Sequence, residues 1–266
     1  MHPYLFASRP HLFGHRGASG EAPENTRVAF ELALAQGMGF LEMDCHASQD
    51  GEIVIIHDAD VGRVTNGAGP VTELRFRELS ELDAGFHFSS DGRTFPYRGC
   101  GVRIPLLAEI LEGFPGVGIN LEVKQAEPPI AEEVVRIVRQ AGAQNRVLLA
   151  AAEDDIMEDL HRLNPGTALG SSVGDVADFF KALGEKNPEA FVPRGDALQL
   201  PTEFAGRPLI TPESVATAHR HGLALHVWTI NEPAEMRRLL ALGVDGLMSD
   251  FPERLRQVAE AHANAP

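Results

Sequence analysis

Short apolar runs alternate with helix-length amphipathic segments along most of the chain, the pattern of parallel strands joined by helical crossovers. The first unit pairs a strand at His11–Gly14 with a helix from about Asn25 to Gln36. Val28, Ala29, Leu32, Ala33 and Ala35 form that helix's apolar stripe, and Asn25 or Thr26, just after Pro23, can cap it. A second strand covers Phe40–His46, and Ile53–His57 is a further apolar run reached through the turn-like Gln49-Asp50-Gly51. Residues 58–104 then break the rhythm. They are rich in Gly, Asp, Ser and Arg, with only short patterned pieces such as Thr72–Leu82. A loop this long in a compact fold is usually functional or locally structured, so it reads as an excursion and not as a second domain.

Regular alternation resumes at Ile104 with helix Leu106–Phe114, strand Gly118–Val123, helix Pro129–Ala141 and strand Arg146–Ala150. Helix Asp154–Leu163, strand Thr167–Ser171, an amphipathic piece near Val176–Leu183 and strand Ala197–Leu200 follow. The last third carries helix Pro212–His221, strand Leu223–Ile230, helix Pro233–Leu242, strand Gly246–Ser249 and helix Pro252–His262. Eight strands alternating with helices predict an α/β fold of the (β/α)8 TIM type. On this reading residues 1–266 form one barrel domain, with a small insertion at about 58–104 after the second βα region.

The bulk numbers fit that expectation and narrow the functions. Hydrophobic residues make up 44% and charged residues 23%, ordinary for a globular chain, and no run approaches the ~20 apolar residues of a membrane span. The amino terminus has no basic region followed by an apolar run, so no secretory signal is expected and the cytoplasm is the expected compartment. Cys45 and Cys100 suggest no disulfide framework and are expected to be free. The formal charge of −15 opposes the basic surface used to grip a phosphate backbone, which argues against a nucleic-acid partner. Lysine occurs only at positions 124, 181 and 186, so Lys124 inside a strand-like segment stands out.

Reactive groups of a parallel barrel sit where its strands end, at the carboxyl face. That rule selects His15-Arg16-Gly17, Glu42 and Asp44, His57-Asp58, and Glu122 with Lys124. Glu42 and Asp44 lie at i and i+2 on one strand and share a face, while Cys45 points the other way. Two carboxylates inside a barrel repel unless a cation lies between them. A divalent metal would resolve this, and oxygen ligands without cysteine favour magnesium or calcium over zinc. The alternative is a structural ion pair with Arg16 or Lys124. Glu122 and Lys124 repeat the spacing with opposite charges. They can complete an oxygen-rich metal site and present a cation to an anionic ligand, or form an ordinary strand-end salt bridge.

His15 and His57 are the candidate proton carriers, and the guanidinium of Arg16 can fork onto phosphate oxygens. His46 shares the inward face of Asp44, in or below the site, and is given no catalytic role; His161, His219 and His221 fall on helices and are expected to be solvated. Trp228, within His226-Val227-Trp228-Thr229-Ile230, ends the seventh strand and can line a pocket or be an ordinary buried aromatic. Neither a nucleophile elbow nor a Walker loop is present.

Together these segments resemble the glycerophosphodiester phosphodiesterase family. The matching pieces are Gly14-His15-Arg16-Gly17, Pro23-Glu24-Asn25-Thr26, Leu41-Glu42-Met43-Asp44 and Asp50-Gly51 leading to His57-Asp58. They continue with Arg103-Ile104-Pro105-Leu106, Asn120-Leu121-Glu122-Val123-Lys124, Val227-Trp228-Thr229-Ile230-Asn231 and Ser249-Asp250-Phe251-Pro252. The resemblance spans roughly residues 11–257 and implies a phosphodiesterase barrel whose small insertion accounts for residues 58–104. It implies one divalent cation, Mg2+ or Ca2+, on Glu42, Asp44 and Glu122, acid/base catalysis by His15 and His57, and phosphate contacts from Arg16 and Lys124. The implied reaction is hydrolysis of a small-molecule glycerophosphodiester to glycerol 3-phosphate and an alcohol.

Cys45-His46 and the stretch from Phe191 to Pro201 look more like the branch of that family acting on lysophospholipids. Phe86, Phe88, Phe95 and Tyr97 could then give the cleft an apolar rim, or simply form the insertion's own small core. Lysophospholipase D activity and a transphosphatidylase that stops at a cyclic phosphate are the close alternatives. A non-catalytic phosphate-binding barrel is the alternative of a different class.

Overall fold

A computed structural model describes residues 2–264. A short 3-10 turn at Pro3–Phe6 leads into β1 (His11–Gly14), α1 (Arg27–Ala35), β2 (Phe40–Ala47) and β3 (Ile53–Ile55). The insertion holds 3-10 turns at Val61–Arg63 and Val71–Glu73 and the one-turn α2 (Phe76–Leu79). Then come α3 (Leu107–Gly113), β4 (Gly118–Val123), α4 (Ala131–Gln140), β5 (Val147–Ala150), α5 (Asp154–Leu163), β6 (Ala168–Leu169) and α6 (Val173–Gly184). The chain ends with β7 (Ala197–Leu200), a hairpin of β8 (Glu203–Phe204) and β9 (Arg207–Pro208), α7 (Pro212–Arg220), β10 (Ala224–Val227), α8 (Pro233–Leu242), β11 (Gly246–Ser249) and α9 (Pro252–Ala263).

Eight strands run parallel in the order β6-β5-β4-β2-β1-β11-β10-β7, a nearly closed (β/α)8 barrel as the alternation of strands and helices predicts. The seam lies between β6 and β7. Asp196 bridges it: its backbone N–H donates to Leu169 O at 2.7 Å, while its Oδ2 accepts from Leu169 N at 3.0 Å. The further apolar run Ile53–His57 stays outside the barrel. β3 folds back antiparallel on the end of β2, pairing Cys45 with Ile55 and His46 with Val54.

Side chains alternate between two environments along each strand. Leu41, Met43 and Cys45 of β2 point outward into the main core between sheet and helices, with Ile119, Leu121 and Val123 of β4. Phe13, Phe40, Leu148 and Met248 point inward, beside the small Ala150, Ala168, Ala197 and Ala224; Tyr4 and Leu5 of the first turn join that cluster and plug the amino end of the barrel. The inward register above this floor runs Glu42 beside Asn120, then Asp44 beside Glu122, so three carboxylates rise toward the carboxyl end on neighbouring strands.

The helices start where the side chains provide caps. Thr26 Oγ1 accepts from Ala29 N at 3.3 Å, so α1 begins at Arg27. Pro212, Pro233 and Pro252 open α7, α8 and α9, where a missing N–H costs nothing. The insertion has its own core of Val54, Ile56, Val61, Val71, Leu79, Ala84, Val102 and Ile104. Its aromatics pack on one another: Phe88 meets Tyr97 edge-on at 5.4 Å, and Arg98 stacks on both Phe86 and Phe95. Both cysteines are free, Cys45 buried and Cys100 exposed. Among the described residues no helix is long and apolar enough to cross a membrane.

Two of the helical histidines depart from the expectation of solvation. His161 and His221 are half-buried, and His221 Nε2 lies 3.0 Å from Pro188 O because α7 ends against the turn at Pro188–Ala190. His219 is exposed, yet its Nε2 is 2.8 Å from Asp245 Oδ2.

Candidate active site

The loop after β1 is wound tightly against α1. A Cβ at Gly17, whose φ is +83°, would come within 2.6 Å of the Ala29 backbone, so the close approach requires glycine. Arg16 itself has φ +52°. This turn points its N–H at Glu42 Oε2, 2.9 Å away, and aims its side chain across Asp44. Asn25, also at positive φ, closes the loop from the other side: its Nδ2 donates to Asp44 Oδ2 at 2.9 Å and its backbone N–H to Arg16 O at 3.0 Å.

Oxygens of Glu42, Asp44 and Glu122 all lie within 4.8 Å of one another. Asp44 and Glu42 are almost fully buried, and Glu122 is partly exposed. Two cations share the cluster. Lys124 Nζ is 2.8 Å from Glu122 Oε1 and 3.4 Å from Asp44 Oδ1, and Arg16 Nε is 3.3 Å from Asp44 Oδ2. Among the described residues Glu42 has only the Arg16 amide and, 3.9 Å away, His15 Nε2. Its carboxyl is accordingly pushed up to about 8, by burial first and by Asp44 next. The buried Arg16 Nε–H has no hydrogen-bond partner among the described residues, although Asp44 Oδ2 lies 3.3 Å away. Three carboxylates outnumber the two basic groups and offer only hard oxygen donors, so the residues fit a divalent cation such as magnesium or calcium.

His15 borders the cluster, His57 follows Ile56, whose N–H donates to Asp44 O just past β3, and each imidazole is held by an aspartate. His15 Nδ1 is 2.7 Å from Asp250 Oδ1, and His57 Nδ1 is 2.6 Å from Asp58 Oδ1. Asp250 also accepts from Ser19 Oγ at 2.7 Å and Asn231 Nδ2 at 2.6 Å. Burial works against its charge, but His15, Asn231 and Ser19 outweigh this and bring its carboxyl down to about 2. Burial alone would likewise depress His15, but Asp250 and Glu42 prevail and hold it above its ordinary value. Both rings therefore keep Nε2 free of the anchoring carboxylate. His46 is buried, with Nε2 3.1 Å from His57 O, a supporting contact beneath the catalytic candidates. Trp228 follows β10, is 42% exposed, and stands outside this contact network.

The structure thus brings His15, Arg16, Glu42, Asp44, Glu122 and Lys124 into contact around one cluster. His57 stands on the far side of the Asp58 carboxylate. Sequence reasoning gave no site role to Asp58, Asp250, Glu24 or Asn231, and offered Asn25 only as a helix cap. The rule that barrel chemistry sits at strand ends already pointed to Asp250, which directly follows β11.

Residues 15–254 match the model of the glycerophosphoryl diester phosphodiesterase family. The chain belongs to that family. It is similar to the glycerophosphodiester phosphodiesterase of Caldanaerobacter subterraneus subsp. tengcongensis, with 31% identity over 92% of this chain and 95% of that protein. A phosphodiesterase of Oleispira antarctica, solved in complex with the product sn-glycerol 3-phosphate, superposes with a TM-score of 0.76 at 28% identity, covering 94% of this chain and 97% of the other. Lysophospholipase D GDPD1 of Rattus norvegicus is 28% identical over 91% of this chain and 84% of its own length. Membership of this phosphodiesterase family, together with the barrel, supports hydrolysis of glycerophosphodiesters and makes the protein a hydrolase, which sets aside the non-catalytic barrel.

Proposed function

We propose that the protein hydrolyses glycerophosphodiesters to glycerol 3-phosphate and an alcohol, with His15 and His57 as paired acid and base. The chain from 1 to 266 acts on this reading as one phosphodiesterase domain with residues 58–104 as its insertion. Glu42, Asp44 and Glu122 would hold one Mg2+ or Ca2+. When bound, that cation supplies positive charge to the phosphoryl oxygens as bond order shifts among them. Arg16 and Lys124 bind and orient the same group, and Trp228 contacts the alcohol portion.

The observation that carries this reading is the pair of histidines, each anchored through Nδ1 by an aspartate and each with Nε2 available. One imidazole takes the proton of the attacking hydroxyl as its oxygen bonds to phosphorus; the other delivers a proton to the alkoxide oxygen as its bond to phosphorus breaks. If the attacking hydroxyl is the substrate's own, a cyclic phosphate forms first and water then opens it with the proton roles exchanged. Arg16 Nε adds support: although 3.3 Å from Asp44 Oδ2, it has no hydrogen-bond partner among the described residues and can donate to a phosphoryl oxygen.

Phosphorus NMR of glycerophosphocholine and lysophosphatidylcholine reactions, with and without chelator, tests the proposal. The expected product is glycerol 3-phosphate from glycerophosphocholine, with loss of activity on chelation and recovery with magnesium or calcium. His15→Ala and His57→Ala should each abolish turnover with the fold intact. A persistent cyclic product, full activity after exhaustive chelation, or near-normal rates in both variants would overturn it. Faster turnover of lysophosphatidylcholine would move the substrate assignment to the lysophospholipids.

A further inference from the structure

Arg63 ends the 3-10 turn Val61–Arg63 of the insertion and lies between two carboxylates, each attached to a different part of the site. Its Nε donates to Asp58 Oδ2, and the other oxygen of Asp58 meets His57 Nδ1 at 2.6 Å. Its terminal nitrogens donate in a fork to Glu24, at 2.8 Å to Oε2 and 2.7 Å to Oε1. Glu24 Oε1 accepts a further bond from Arg16 Nη1 at 2.9 Å. His57, Asp58, Arg63, Glu24 and Arg16 form one unbroken chain of alternating charge.

We propose that Arg63 is a positioning residue for the reaction, locking the imidazole of His57 and the guanidinium of Arg16 into one fixed relative placement. The inference rests on the roles given above to His57 and Arg16. A carboxylate bonded only to its histidine can turn about its own side-chain torsions, whereas a second bond to its other oxygen fixes the carboxylate plane and with it the ring. Asp58 has that second bond only from Arg63 among the described residues. Glu24 is gripped from both sides, by the fork of Arg63 and by Arg16, so a displacement at either end is transmitted to the other. Each of the three nitrogens of Arg63 donates to a carboxylate, so the role proposed for it runs through Asp58 and Glu24. The arrangement needs the planar guanidinium: a lysine ammonium is a point charge and cannot hold two carboxylates at fixed angles.

The competing explanation is a surface network that merely fastens the insertion to the barrel. Arg63 is 48% exposed, and pairs of this exposure contribute little to global stability, so the two explanations separate in kinetics more than in melting. Misalignment of reacting groups by a fraction of the site's dimensions costs up to about 100-fold in rate.

The test compares the full-length, metal-saturated wild type with Arg63→Ala, Arg63→Lys and His57→Ala on glycerophosphocholine. Arg63→Ala is expected to lower kcat by about 10- to 100-fold with a smaller change in KM. Arg63→Lys should recover only a minor part, and added guanidinium ion should restore part of the Arg63→Ala rate. The downfield Nδ1–H proton resonance of His57, identified by its absence in His57→Ala, should broaden or vanish in Arg63→Ala. A kcat for Arg63→Ala within about twofold of wild type would overturn the proposal, as would a loss with that resonance intact and no guanidinium rescue. If Arg63→Ala melts below assay temperature, Arg63→Lys provides the same kcat and resonance readings. Wild-type turnover in His57→Ala would remove the underlying role of His57, an outcome distinct from a silent Arg63.

Discussion

His15 and Asp250, which follow the paired ends of β1 and β11, meet Nδ1 to Oδ1 at 2.7 Å, although 235 residues separate them in the chain. Nε2 of the same ring faces the carboxylate cluster, 3.9 Å from Glu42 and 3.5 Å from Thr229 Oγ1. Asp250 therefore sets both the tautomer and the direction of the imidazole. Asp250→Asn keeps the shape but can offer an amide N–H where a carboxylate accepted, favouring the wrong tautomer. The expected result is a fall in kcat of about 100-fold or more, with little change in KM and a melting temperature close to wild type. Steady-state kinetics beside a thermal melt would check it, and equal loss in kcat and stability would assign Asp250 to structure alone.

Glu42 makes a second prediction, about metal binding and protons. With its carboxyl raised to about 8, the chelated protein carries a proton there at pH 7. A metal ligand must be deprotonated, so cation binding should release close to one proton and weaken by up to about tenfold per unit as pH falls below 8. Calorimetry at pH 7 in buffers of different ionisation enthalpy reads the proton count directly. Glu42→Gln should remove most of the affinity. It should also raise the melting temperature of the chelated protein by a few degrees, because it deletes a buried acid beside Asp44. Zero proton release would contradict the burial and charge crowding at Glu42.

Much of this architecture was legible because each level of the sequence agreed with the next. β1, β4, β7 and β11 and helices α5 and α8 lie on the expected bounds, where apolar periodicity coincides with flanking glycine or proline or, after α5, with the left-handed Asn164. β10 keeps four of the eight residues expected at Leu223–Ile230, and β6 two of the five at Thr167–Ser171, the latter because Asp196 replaces a ladder partner with its own carboxylate. Such a substitution has no periodicity to betray it. The hairpin Glu203–Pro208 also went unread, since two-residue strands carry no alternation. In the site, position at strand ends selected the right neighbourhood, and family resemblance supplied the joint pattern. The anchoring groups escaped because their partnerships are tertiary: nothing local links Arg63 to Glu24, or Asn25 to Asp44.

The barrel seam carries a third prediction. A Cβ at Gly195 would stand 2.2 Å from Gly170 O, and its nearest neighbours are all backbone atoms of Leu169 and Gly170, with no flexible side chain able to yield. Gly195→Ala must therefore push β6 away from the segment entering β7 and break the Asp196 bonds that close the barrel there. A loss of about 2 kcal/mol or more is expected, at the upper end of overpacking costs. Urea unfolding measures it. A midpoint unchanged from wild type would mean that the seam has slack that the close approach denies.

The floor of the barrel holds the last prediction. His11 Nδ1 and His226 Nε2 lie 3.4 Å apart with neither residue exposed, and His226 Nδ1 has no partner among the described residues. Burial first, and then mutual proximity with Arg9 nearby, lowers His226 well below its ordinary value. Burial also lowers His11, against the Ala7 carbonyl and Asp245, which favour its charged form. A histidine with a lowered folded pKa binds its proton more readily when unfolded. Its contribution to stability is complete above the unfolded value near 6.5 and is lost as pH falls toward the folded value. Two such groups give a slope of up to about 2.7 kcal/mol per pH unit below 6.5. Asp58 and Asp250, near 2, act only in stronger acid. His15, raised above its ordinary value, acts in the opposite sense and loses its contribution as pH rises. His226→Leu removes one buried imidazole and its unpartnered nitrogen. The variant should therefore lose stability less steeply between pH 6.5 and 5, by about 1.4 kcal/mol per unit, and be the more stable form at pH 5. Urea midpoints of chelated wild type and variant across that window decide it: parallel slopes would show that the two imidazoles remain protonated inside the barrel.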